Sequence, residues 1–212
     1  MTMTPRPRIG VFGGAFDPPH NAHVALAQAA LAQLDLAELR IFPTGQAWHK
    51  TRGLTSAPDR VAMAQLAFGS LARTVVDARE VLRAGPTYTL DTLRELRQQN
   101  PGAELLLILG TDQASALPSW HGWQEIVSIA IIAVAQRPRS TDASVPSSTR
   151  FDPHSLANLP ADARFEPLEL APIDLSATTI RAHSALGQDI GSLVPSAVAR
   201  YIDNHLLYRP AR

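Results

Sequence analysis

The sequence predicts an α/β protein of one domain, and three observations carry that expectation. A chain of 212 residues with 45% hydrophobic content can bury a core of that size. An apolar run at 9–12 passes through a glycine pair and a proline pair into the Ala- and Leu-rich stretch 22–34, and a second apolar run follows at 39–43. That is strand, loop, helix, strand, a β-α-β unit whose crossover is right-handed. Farther on, the runs 104–109 and 129–135 are continuously apolar, the pattern of parallel strands covered on both faces.

The first loop gathers the most chemistry. Gly13 and Gly14 let the backbone come close to a ligand, while Pro18 and Pro19 stiffen the approach to the helix. His20 and His23 stand three residues apart in the first helical turn, so both rings can face one side. Two imidazoles, unpaired backbone N–H groups and the positive end of a helix dipole together suit an anionic phosphate. Other readings stand beside this one. His-x-x-His with Asp17 is a fragment of a metal site, but the chain has no Cys and no cluster completes it, so no bound metal is expected. Either histidine also reads as a structural residue at a helix start. The glycines match neither Gly-x-Gly-x-x-Gly nor a Gly-Lys-Ser/Thr loop, which disfavours dehydrogenases and P-loop enzymes.

The segment 44–57 is a loop containing Trp48, His49, Lys50 and Arg52; a solvated surface loop and a ligand loop at the carboxyl end of a strand are equally consistent with it. Helical spacing at Val61, Leu66 and Phe68 predicts a helix over 58–70, and 74–77 is a short β-branched strand. Gly85 to Thr89 punctuates the chain before a helix over 90–99 with Leu90, Leu93 and Leu96 on its core face, and Thr87 or Thr89 is a natural cap for it. The strand 104–109 ends at Gly110-Thr111-Asp112, where the carboxylate can accept from a ribose, sit near a metal-phosphate, or cap the next turn. Trp120 and Trp123 lie in a loop at 118–123 as core anchors or as ligand contacts. After 129–135 come Gln136 and Arg137, and then 140–154, rich in Ser, Thr and Pro, reads as a mobile loop. A strand within 164–170 extends the sheet, Ser176, Thr178 and Arg181 open a helix running to about Leu186, and 195–205 forms a last short helix.

The 19 basic and 19 acidic residues cancel and leave no long basic run, so binding of nucleic acid is not indicated. The longest apolar run, near 126–135, is too short to span a bilayer, and the first residues carry no signal-peptide pattern. With the absence of Cys, these features predict a soluble cytoplasmic protein without a membrane partner; a homo-oligomer is left open.

Gly14, Phe16, Asp17, Pro18, His20 and His23 resemble the Gly-x-Phe-Asp-Pro-x-His-x-x-His signature of the nucleotidylyltransferase superfamily, with Ala22 where Gly is usual. Leu175, Ser176, Thr178, Ile180 and Arg181 resemble its Ile-Ser-Ser-Thr-x-Ile-Arg motif, with Ala177 in place of the second Ser. Between them, in family order, stand His49-Lys50 (after Ala47-Trp48 instead of two prolines), Tyr88-Thr89, Gly110-Thr111-Asp112, Ser119-Trp120 and Arg137-Pro138. On these residues the chain is identified as a member of the bacterial nicotinate-nucleotide adenylyltransferases. The resemblance implies a Rossmann-like, doubly wound parallel sheet with helices on both faces and ligands across the carboxyl ends of its strands. It implies transfer of AMP from ATP to nicotinate mononucleotide with Mg²⁺, giving deamido-NAD and pyrophosphate. His20 and His23 are then catalytic, and Gly13, Gly14, Phe16, Asp17, Arg137, Ser176, Thr178 and Arg181 join them in binding ATP. Lys50, Tyr88, Thr89, Asp112, Trp120 and His121 bind the mononucleotide. Pantetheine-phosphate adenylyltransferases and small cytidylyltransferases share the first motif, and a nucleotide-binding regulator without turnover is the reading outside enzymes.

Overall fold

The computed structural model describes residues 5–45, 54–136 and 151–209. In chain order these form β1 (Arg8–Gly14), α1 (Asn21–Gln33), β2 (Glu38–Pro43), α2 (Ala57–Phe68), β3 (Thr74–Val76), α3 (Arg79–Leu82), α4 (Thr89–Gln99), β4 (Glu104–Gly110), α5 (Thr111–Ala116), α6 (Trp123–Ile129), β5 (Ala130–Gln136), β6 (Phe165–Glu169), α7 (Ala177–Ala185) and α8 (Ser196–Asn204). Six strands make one sheet in the order β3-β2-β1-β4-β5-β6. Leaving β1 in one direction and returning to pair β4 on its other side is the doubly wound order, so the predicted fold class is the observed one. The β1–β4, β4–β5 and β5–β6 pairs are parallel, with Ile9 opposite Leu105, Leu107 opposite Ile132 and Ala135 opposite Leu168. Leu105 to Leu109 and Ala130 to Val134 are all buried, which is why neither strand alternates in sequence.

The chain groups into two compact units. One comprises Met1–Phe12, Ala29–Leu39 and Tyr88–Pro172, the other Gly13–Gln28, Arg40–Thr87 and Ile173–Arg212. Within the first, α4 packs on α6, burying Leu90, Leu93 and Leu96 with Ile126 and Val127, and Arg94 forks onto Glu125 at 2.7 and 2.6 Å on the surface. Within the second, α2 packs on α8, and Met63, Ala64, Ala67 and Phe68 are buried with Val198 and Ile202.

Several local expectations are corrected. Leu66, read as part of the apolar face, is 41% exposed; Met63 and Ala67 hold the core positions of α2 instead. The short α3 was not expected, and it starts where the Asp77 carboxylate accepts the Arg79 backbone N–H at 3.0 Å. Trp123 is not in a loop. Gly122, at φ +64, makes a left-handed turn that only glycine adopts freely, and Trp123 opens α6 directly before β5. Thr87 does not cap α4: its hydroxyl is buried against the Glu80 carbonyl, and the cap position belongs to Tyr88 without a side-chain bond. Of the expected loop at 140–154, residues 140–150 lie outside the described residues, while Pro153–Ser155 form a 3₁₀ turn and Phe151 rests on Phe165.

Candidate functional site

In the second unit, β1 ends at Gly14 and delivers the loop that carries the histidines. Among the described residues a Cβ on Gly13 would meet no atom within 4 Å, whereas one on Gly14 would press on the Phe16 ring at 3.0 Å. A side chain at the second glycine would therefore have to displace the Phe16 ring, while the first faces open space among the described residues. Phe16 is buried edge-on against Phe68 and His23, and its backbone is held at φ +46, in the left-handed region.

His20 closes the loop and α1 begins behind it. Its side chain is 6% exposed and stacks on His23 with ring centroids 3.7 Å apart. The His20 backbone N–H donates to His23 Nδ1 at 3.2 Å, which fixes the His23 tautomer with its proton on Nε2. Burial lowers the His20 pKa to about 4, so the imidazole is neutral near pH 7. Its Nδ1 is buried with no hydrogen-bond partner among the described residues. Such an orphan costs roughly 1–3 kcal/mol, and a cost of that kind persists at sites kept for a ligand or for chemistry.

Asp17 is 2% exposed and serves as a hub. Tyr208 donates its phenolic O–H to Oδ1 at 2.8 Å, and the Thr55 N–H donates to Oδ2 at 3.2 Å. Burial first, and then the Asp17 carboxylate beside it, push the Tyr208 phenol far above its ordinary range and keep it a donor. Asp17 thus holds the loop in place with both carboxylate oxygens already accepting.

The second motif arrives at the same loop. Ser176 caps α7, accepting from the Thr179 N–H at 3.1 Å, and leaves Thr178 on the exposed first turn. Arg181, one turn on, donates through Nη1 to the Asp17 carbonyl at 2.7 Å and through Nη2 to the Thr178 hydroxyl at 3.0 Å. A helix N-terminus, two hydroxyls and a guanidinium are thereby fastened to the histidine loop, a donor set suited to phosphate oxygens.

In the first unit, Tyr88 stacks at a tilt on His121 with centroids 4.4 Å apart. Thr89 is the first residue of α4, where no intrahelical acceptor exists for its N–H. The half-exposed Trp120 follows a 3₁₀ turn, and its N–H is already donated to the Leu117 carbonyl at 2.9 Å, so it is not one of the backbone donors available to a ligand. Asp112 does not cap α5, whose cap position is Gly110; it lies exposed in the first turn. Thr111 ties the ends of β4 and β5 by donating to the Ala135 carbonyl at 2.8 Å.

Lys50 and Arg137 lie outside the described residues. Two residues escaped the sequence reading, Arg60 and Tyr208. Arg60 on α2 is 3% exposed and donates to the carbonyls of Ala15, Thr44 and Thr55 at 3.0, 2.7 and 3.0 Å. Among the described residues no group of three His, Cys, Asp or Glu side chains is placed to hold a metal ion, and no helix is long and apolar enough to cross a membrane.

Comparison with known proteins shows the family to which the chain belongs. The family described as cytidylyltransferase-like matches residues 11–183, a span that includes both motifs. A protein of Albidiferax ferrireducens named "probable nicotinate-nucleotide adenylyltransferase" is 55% identical over 96% of this chain and 99% of its own. The chain belongs to that family. A relative of the same name from Methylibium petroleiphilum is 43% identical over 100% of this chain and 97% of its own. Among solved structures, the nicotinic acid mononucleotide adenylyltransferase of Plasmodium falciparum complexed with NaAD superposes with a TM-score of 0.74 at 18% identity, covering 95% of this chain and 97% of that one, a likeness of fold.

Proposed function

We propose that this chain transfers the AMP moiety of ATP to nicotinate mononucleotide, releasing pyrophosphate and forming deamido-NAD, as a single catalytic domain in the cytoplasm. The observation that carries the reading is the bond from Arg181 to the Asp17 carbonyl, which joins the family's two phosphate motifs around His20. The nucleophile is a phosphate oxygen of the mononucleotide. With a second pKa near 6 it is already ionised, so no base is required. It forms a bond to the α-phosphorus as the bond from that phosphorus to the β-phosphate oxygen breaks, and pyrophosphate departs with the electron pair. What the protein supplies is position and donors for the charge that develops.

In this scheme neutral His20 donates to the α-phosphate, His23 donates from Nε2 beside it, and Arg181 with Ser176 and Thr178 holds the leaving phosphates. Gly13 leaves room for the polyanion, and Gly14, Phe16 and Asp17 shape the loop that receives it. Arg137 and Lys50 are proposed as further cations on ATP and on the mononucleotide, from their positions in the family motifs. Tyr88, Thr89, Trp120 and His121 take the pyridine carboxylate, with Trp120 as a stacking surface, and Asp112 accepts from a ribose. Mg²⁺ enters as part of the ATP substrate. The donor set fits that, because Mg²⁺ bound mainly through phosphates needs only one or two carboxylates and no cage of protein ligands. Self-association is compatible with the scheme and is not required by it.

The test is pyrophosphate release from the purified chain with ATP and nicotinate mononucleotide, nicotinamide mononucleotide or phosphopantetheine in separate reactions, and with CTP replacing ATP in a fourth. Release that is greatest with nicotinate mononucleotide and ATP is expected. Silence in all four would identify a binding protein without turnover, and a stronger signal with phosphopantetheine or CTP would move the chain to another branch of the superfamily.

A further inference from the structure

Arg60 has no place in the phosphate chemistry above, yet it is the most deeply buried cation described in the second unit. Its guanidinium lies beneath the backbone of two loops. Nη1 donates to Ala15 and Thr44 and Nε to Thr55, so one planar group holds the histidine loop and both ends of the segment that contains Lys50. Burial lowers its pKa, and the Asp17 carboxylate, followed by Tyr208, opposes that shift. An apolar side chain of similar volume would fill the same space without the desolvation of a charge, so packing alone does not account for an arginine here.

The backbone around Phe16 supplies the reason. Phe16 sits at φ +46, a conformation that persists only where the surroundings over-determine it. Arg60 holds the carbonyl of the preceding residue, Ala15, and Arg181 holds the carbonyl of the following one, Asp17. From Asp17 the chain runs through Pro18 and Pro19, whose fixed φ transmits a displacement instead of absorbing it, straight to His20. We propose that Arg60 is a positioning residue of the transfer reaction, which locks the Ala15–Phe16 backbone from below and so sets the place of His20.

The inference rests on the activity proposed above, and its test is steady-state kinetics on Arg60→Lys and Arg60→Gln beside the parent, with the thermal midpoint of each. Lysine keeps the charge without the fork, and glutamine keeps a short donor without the charge; neither can reach three carbonyls on two loops. The expected result is a kcat lowered about 10²-fold, the scale for a reacting group displaced by about 1 Å, with KM for ATP and for the mononucleotide within about threefold of the parent. A kcat within threefold of the parent in either folded variant would overturn the proposal. Failure of both variants to fold, or a loss of activity that only mirrors the loss of folded protein, would assign Arg60 to stability and overturn it equally. A parent that releases no pyrophosphate would refute the activity itself, a result separate from any loss confined to the variants.

Discussion

The histidine loop and the Tyr88–His121 region are built differently. Around Asp17 the polar atoms are buried and fastened: Tyr208, Thr55, Arg60 and Arg181 all donate to a stretch of three residues or its carboxylate. Around Tyr88 and His121 the contacts are a tilted ring pair on partly exposed side chains, next to a helix start without a side-chain cap. The contrast suits the roles proposed for each. Stabilising charge on a phosphorus centre requires donors already in place, because reorganisation during the reaction forfeits the gain. Selecting one flat ring over another requires only a surface and one or two directed donors.

That contrast can be broken most forcefully at His20. His20→Ala is expected to lower kcat by about 10²-fold or more, the scale for losing one preorganised donor, with a smaller change in ATP binding. A near-normal kcat would remove His20 from the chemistry and make the fastened loop merely structural.

The burial of His20 also has a signature in stability. Its folded pKa of about 4 lies below the ordinary 6.5, so between these values the unfolded chain binds the extra proton. The contribution is complete above about pH 6.5 and is lost as pH falls toward 4. At about 1.4 kcal/mol per unit it reaches roughly 3 kcal/mol at most. Denaturant midpoints measured without nucleotide from pH 7.5 to 4.5 should fall less steeply in His20→Asn than in the parent; equal slopes would mean that the imidazole is not held neutral.

Arg181→Ala should weaken ATP by about 1.5–3 kcal/mol, as expected for a charge-assisted phosphate contact, and lysine should restore part of it. Calorimetric titration reads this directly. Unchanged affinity would leave Arg181 as a fastener of Asp17 and nothing more.

The smallest effect belongs to the looser region. Nicotinate mononucleotide should exceed the amide by about tenfold in kcat/KM, near the lower end of the cost of one mismatched buried polar group. Because Trp120 has its own N–H committed, the remaining reading falls to the α4 start and the neighbourhood of His121, and Trp120→Ala should weaken both substrates alike. A preference lost in Trp120→Ala but kept in Thr89 and His121 variants would reverse that division of labour.

Much of this was legible in the sequence, for physical reasons that differ by region. The central strands betray themselves because both faces are covered, and the histidine loop because glycine, proline and histidine act locally. Arg60 was not legible: an arginine in the first turn of a helix reads as solvated, and only loops brought from elsewhere in the chain bury it. Tyr208 was hidden in the same way. Trp123, read as part of a loop, misled because a glycine beside it reads as a turn, whereas Gly122 in the left-handed region is the position from which α6 starts. Leu66 misled because the residues facing α8 are fixed by how the two helices cross.

The bonds that fasten Asp17 join residues very distant along the chain, 164 positions to Arg181 and 191 to Tyr208. Closing loops of that length is entropically costly and correlates with slow steps of folding. Helices and the local β-α-β pairing can form while the histidine loop is still unfastened. Regain of catalysis after dilution from denaturant should therefore trail the regain of far-ultraviolet ellipticity, and an early refolding species would carry native-like secondary structure with little turnover.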